Sequence, residues 1–67
     1  MSRSEMLFEQ IKSENINVNS ISEALDMDRS TFYRKAKDPH RHFTVDQAMK
    51  LRNILQMSRD LFEAIFF

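Results

Sequence analysis

An all-α fold is predicted by three features of this chain. It has no glycine and one proline in 67 residues, which leaves little for the tight hairpin turns of a β-rich fold. Residues with capping chemistry stand before each apolar stretch, at Ser2, Asn17, Asp28, Thr44 and Ser58. Two of them, Ser2 and Thr44, are followed three residues later by Glu5 and Gln47, the spacing of a capping box. Between the caps, apolar residues recur every three or four positions, the period of a helix with one buried face.

Taken in order, these signals predict a compact five-helix bundle forming one domain over residues 1–67. The first helix starts at Ser2, turns Leu7, Phe8 and Ile11 inward, and ends near Asn15. The second, about 18–25, follows the Asn17 cap and places Ile21, Ala24 and Leu25 on one face. The third, about 29–37, follows Asp28 and has Phe32 as its one large apolar anchor. Pro39 cannot continue a helix, so Lys37 to Phe43, with His40, Arg41 and His42, is expected to be an exposed loop. The fourth helix follows Thr44 with Val45, Ala48, Leu51, Ile54 and Leu55 inward, and the fifth follows Ser58 with Leu61, Phe62, Ile65 and Phe66. The residue before each cap and the fourth residue of the following helix form four apolar pairs: Ile16–Ile21, Met27–Phe32, Phe43–Ala48 and Met57–Phe62. Such pairs staple a helix start to the preceding chain. No linker or repeat is apparent. Met6, Met27, Met49 and Met57 are expected as core filler.

Several function classes are disfavoured. There is no cysteine, so no disulfide framework or thiolate metal site. His40 and His42 lack a third ligand nearby, so they are expected as loop histidines and no metal is expected. No paired nucleophile and base and no Gly-rich phosphate loop occurs, so neither an enzyme nor a cofactor nor a small-molecule ligand is expected. No apolar run approaches the ~20 residues of a membrane span, and the start of the chain lacks a secretion signal, so a cytoplasmic protein is expected.

Net charge is zero, but it is unevenly distributed. Residues 1–28 hold two basic and six acidic side chains. Residues 29–52 hold seven basic ones (Arg29, Arg34, Lys35, Lys37, Arg41, Lys50 and Arg52) against Asp38 and Asp46. The basic excess begins where the third helix begins, as a duplex-binding face requires.

Asn17 to Lys37 resembles the helix-turn-helix of the lambda-repressor and Cro-like family of phage and bacterial transcriptional regulators. The resemblance lies in Ile21-Ser22, the turn Leu25-Asp26-Met27-Asp28, and Thr31-Phe32. It continues through Tyr33-Arg34-Lys35, Phe43-Thr44-Val45-Asp46 and Ile65-Phe66-Phe67, and so covers nearly the whole chain. Three positions depart from the pattern. The turn glycine is Asp26, which must then take a left-handed conformation; the small alanine is Ser22; and the phosphate-binding glutamine is Val18.

The resemblance implies sequence-specific binding of double-stranded DNA by a small Cro- or repressor-type regulator from a phage or mobile element. Arg29, Ser30 and Arg34 stand where the family faces base edges, and Tyr33 is either a further base contact or a half-buried ring covering the fourth helix. Asn17 and Asn19, in place of the missing glutamine, with Lys35, Lys37 and Arg41, are the expected backbone contacts. Asp28 is expected as a structural cap. With no room for a separate dimerisation domain, a weak homodimer on a two-fold operator is expected, with Phe67 as the dimer contact. The alternative is a helical protein-interaction module on the same fold, an antagonist of another regulator without DNA binding. Zero net charge and Val18 point toward it, and the basic stretch from Arg29 to Arg52 points away.

Overall fold

The bundle contains six helices rather than five. The computed structural model describes all residues 1–67, as α1 (Arg3–Ser13), α2 (Val18–Ala24), α3 (Arg29–Ala36), α4 (Pro39–His42), α5 (Val45–Ile54) and α6 (Arg59–Phe66). The additional element is the expected loop. Proline at the first helical position gives up no bond, and its fixed φ suits a helix start. Pro39 therefore begins one turn, with the Arg41 and His42 N–H groups donating to the Asp38 carbonyl at 3.1 Å. Pro39 is fully buried and α4 packs against α1, α3 and α6, while His40, Arg41 and His42 are exposed as expected.

The other helices start where the caps indicated. The Ser2 hydroxyl accepts from the Glu5 N–H at 3.0 Å, and the Glu5 carboxylate accepts from the Ser2 N–H at 3.0 Å. Thr44 and Gln47 form the same reciprocal pair at 3.1 and 3.0 Å. Asn17 and Ser58 accept from the Ser20 and Leu61 N–H groups at 2.8 and 3.2 Å. Each bond satisfies a backbone donor that the helix itself cannot.

Three helix ends share one connection. Asn15, Asp26 and Gln56 have φ of 55°, 56° and 50°, the left-handed region. One residue further on, the Ile16, Met27 and Met57 N–H groups reach back to the Ile11, Ser22 and Arg52 carbonyls at 3.4, 3.0 and 3.0 Å. This is the Schellman arrangement, normally completed by glycine. Here a polar left-handed residue, an apolar residue and a cap follow one another: Asn15-Ile16-Asn17, Asp26-Met27-Asp28 and Gln56-Met57-Ser58. Met57 is buried, and Ile16 and Met27 pack against the core, so the apolar residue both closes one helix and staples the next.

The core holds fourteen buried apolar residues, drawn from every helix but α4, with Phe32, Leu7, Ile21, Leu51, Leu55 and Ile65 fully enclosed. Phe62 and Phe66 lie in it as expected. Gln10 adds a tie from α1 to the end of α5, its Nε2 donating to the Leu55 carbonyl at 2.8 Å. Three expected inward residues are instead exposed. Ala24 is displaced by Ser22, which is buried with its hydroxyl donating to the Val18 carbonyl at 2.8 Å. Val45 is 67% exposed because it stands on the rim of a groove that no side chain fills. Met49, one turn after Val45, is 44% exposed rather than core filler.

Two predictions follow from the helix ends. A Cβ in the left-handed region costs about 1–2 kcal/mol, and Asn and Asp tolerate it better than Gln. Gln56→Gly should therefore raise stability by about 1 kcal/mol and Asp26→Gly by about 0.5–1 kcal/mol, after allowing for glycine's greater freedom in the unfolded chain. Urea melts decide, with Gln56→Ala, which keeps the Cβ, as the control. Lower stability of the glycine variants would show that those side chains hold the turns.

At the first helix start, the bond from the Ser2 backbone N–H, and then that with the Ser2 hydroxyl, holds the Glu5 carboxyl below its ordinary value. A lowered value means stability that is present above the unfolded-chain pKa and is lost as pH falls through the folded one. The Ser2 amide shift should accordingly titrate with a midpoint below the ordinary glutamate value, and should stay flat in Glu5→Gln. A midpoint at the ordinary value would contradict the reciprocal cap in solution.

Candidate nucleic-acid interface

Helix α3 has two unlike faces. Phe32 and Ala36 are wholly buried and fix its inner side. Arg29, Ser30, Tyr33, Arg34 and Lys37 are all exposed, and their spacing of one, four, five and eight residues puts them on one outer face. With Asp28 they line a single open depression on the protein surface.

Tyr33 is held from the side. Its ring stacks on Phe8 of α1 with centroids 5.7 Å apart and planes 13° apart, and meets the edge of Phe32 at 6.3 Å. It remains 44% exposed. Its partner is therefore α1, not the helix after Thr44 that the sequence suggested, and it keeps an open flank toward the depression.

No ion pair engages the basic residues of this face, although the Asp28 carboxylate stands beside them. The one ion pair in the protein joins Arg59 to Glu63 on α6 at 3.5 Å. Arg29, Arg34, Lys37 and Arg41 thus keep exposed, unpaired charges. Two other basic residues are engaged in holding the fold. The half-buried Lys35 donates from Nζ to the His42 carbonyl at the end of α4, at 3.1 Å, and Arg52 lies over the Phe62 ring at 5.2 Å.

The remaining expected contact residues do not line the depression. Asn17 and Asn19 are exposed at the start of α2, where Asn17 uses its carbonyl oxygen as the cap and keeps its amide N–H groups available. Arg41 is exposed on α4, beyond the end of α3. Val18 packs against the core. His40 meets the Phe66 carbonyl through Nδ1 at 3.1 Å, tying α4 to the end of α6.

An internal echo in the sequence sharpens the contrast. Leu25-Asp26-Met27-Asp28-Arg29 and Phe32 recur thirty residues later as Leu55-Gln56-Met57-Ser58-Arg59 and Phe62. Both segments use the same connection, and both phenylalanines are buried. Arg59 is paired by Glu63, whereas the position corresponding to Glu63 is Tyr33, so Arg29 stays unpaired. Ser58 makes its cap bond, while Asp28, with the same extended backbone, makes none.

A second feature lies at the far end of α6. An apolar groove of about 240 Å³ is lined by Pro39, Phe43, Val45, Ala48, Phe66 and Phe67 among others. Phe67 is 62% exposed at its mouth and packs edge-on against Phe62 at 5.5 Å. No helix is long and apolar enough to cross a membrane. No family model, no curated protein and no solved structure matches the chain, so any functional reading stands on these residues and their arrangement.

Proposed function

We propose that this chain is a sequence-specific binder of duplex DNA, a small Cro- or repressor-type regulator with α2 and α3 as its helix-turn-helix. One observation carries the reading: the outer face of α3 presents Arg29, Ser30, Tyr33, Arg34 and Lys37 together, with their positive charges unpaired, while Phe32 locks the opposite face. A helix laid in the major groove needs this division. Arg29 and Arg34 have the planar fork that bonds both guanine acceptors, and Ser30 can bond either kind of group. The Tyr33 ring, steadied by Phe8, offers an apolar edge to a thymine methyl. Lys37 and Arg41 supply phosphate contacts, joined from the start of α2 by Asn17 and Asn19.

A two-fold operator calls for two copies with their recognition helices ~34 Å apart. The groove beside Phe67 supports such a dimer. An exposed ring next to an unfilled apolar hollow, on one surface, is the self-complementary pattern of a two-fold contact.

Selection of bound sequences from a random duplex pool tests the reading, and an unenriched pool would favour the protein-interaction alternative. With an operator in hand, Arg34→Ala should cost about 1–3 kcal/mol and relax preference at one base pair per half-site. Lys37→Ala should weaken every sequence alike and lower the salt slope by about one. Equal losses on all single-base operator variants for both mutants would show that these roles are misassigned. In the free protein, Phe67→Ala should lower the melt of the dilute chain only slightly, since the ring is 62% exposed and loses one edge contact with Phe62, and should raise the concentration at which sedimentation shows a dimer. A full-length chain that stays monomeric at high concentration rules out that contact.

A further inference from the structure

Of the five residues that precede the long helices, Asp28 alone makes no cap bond. Ser2, Asn17, Thr44 and Ser58 accept from the third helical N–H at 3.0, 2.8, 3.1 and 3.2 Å. Asp28 has the same extended backbone, with φ −70° and ψ 155°, yet its carboxylate accepts nothing from α3. It forms no ion pair with the arginines beside it. It is exposed and lines the same depression as Arg29, Ser30, Tyr33, Arg34 and Lys37. Asp is among the best capping residues, so the sequence predicts a structural role that the side chain does not perform.

We infer that Asp28 is a specificity-determining residue whose carboxylate accepts a hydrogen bond from the exocyclic amino group of a cytosine in the major groove. The inference rests on α3 being the groove-reading helix. An ionised carboxylate only accepts. In the major groove guanine offers acceptors, thymine an acceptor and a methyl, and adenine an amino group beside the N7 acceptor. Cytosine offers its N4 amino group with no acceptor of its own, so it is the base a carboxylate fits without repulsion. The neighbouring Arg29 favours guanine acceptors. A carboxylate next to a guanidinium therefore matches a cytosine near a guanine, the donor and acceptor edges of G·C pairs. Away from such a site, the same carboxylate faces phosphates and repels them.

The test is selection from a random duplex pool with the full chain, as wild type, Asp28→Ala and Asp28→Ser. Serine keeps the capping chemistry, as Ser58 does at the corresponding place, so a change seen with Asp28→Ser cannot come from a helix that fails to start. The wild type should enrich cytosine at one position per half-site. Both variants should lose about tenfold preference at that position and keep the guanine positions. No cap bond is removed in either variant, so the urea midpoint of Asp28→Ser should equal or exceed that of the wild type and that of Asp28→Ala should fall only by the loss of a charge beside the helix N-terminus. An unchanged cytosine preference in the variants overturns the inference, as does a wild-type motif with guanine positions but no cytosine. Variants that bind every sequence more tightly with the same motif also overturn it, leaving the carboxylate as repulsion alone. A wild-type chain that enriches no motif overturns the DNA-binding reading itself.

Discussion

The fold depends on a continuous chain of ring contacts. Tyr33 stacks on Phe8, Phe8 meets Phe32, Phe32 meets Phe43, Phe43 meets Phe66, Phe66 meets Phe62, and Phe62 meets Phe67, with centroids between 5.4 and 6.4 Å apart. All seven aromatic residues of the chain take part. A fully enclosed ring buries about 150–250 Å², and a well-placed pair adds about 0.5–1.5 kcal/mol beyond that burial. In a chain this short, where the core is small, these contacts replace the depth that a larger domain would have. Phe32 is the central link. Burying its ring sets the rotation of α3, and that rotation decides which polar residues face outward.

Charge is organised as closely as packing. A zero net charge conceals an uneven arrangement in which some basic groups are occupied: Arg59 by Glu63, Arg52 by the Phe62 ring and Lys35, on α3 itself, by a helix-end carbonyl. The outer face of α3 gathers Arg29, Arg34 and Lys37 with no ion pair, beside the single carboxylate of Asp28. A local field of this kind steers an anionic partner over roughly 10 Å at 0.1 M ionic strength. It does so without the broad stickiness toward polyanions that a large positive net charge would bring.

Helix starts were legible in the sequence because a cap acts within three residues: Ser2–Glu5 and Thr44–Gln47 carry their whole geometry in their spacing. The left-handed turn at Asp26 was legible for the same reason, since the helix must end before the next cap. What depended on distant neighbours was not. Pro39 reads as a breaker until α1, α3 and α6 close around it and make it a helix start. The periodicity of α5 assigns Val45 inward, but nothing local says that the hollow beside it stays unfilled. Lys35 looks like a further surface residue until α4 is in place, and the helix that a half-buried Tyr33 would cover is unspecified until Phe8 lies beneath it. Asp28 is the converse case: its local signal was clear, and the side chain does not follow it.

The recurrence of Leu25, Met27, Arg29 and Phe32 as Leu55, Met57, Arg59 and Phe62 separates two kinds of position within each segment. Leucine, methionine and phenylalanine answer to the core, and they agree in both copies. Apart from the shared arginine, the exposed residues of the two segments differ: Asp28, Ser30 and Tyr33 in one, Ser58, Asp60 and Glu63 in the other. Mutational change on the outer face of α3 is thereby uncoupled from the residues that hold the helix in place. Such a scaffold is evolvable in a specific sense: the outer face of α3 can be rewritten residue by residue while the frame that presents it remains stable.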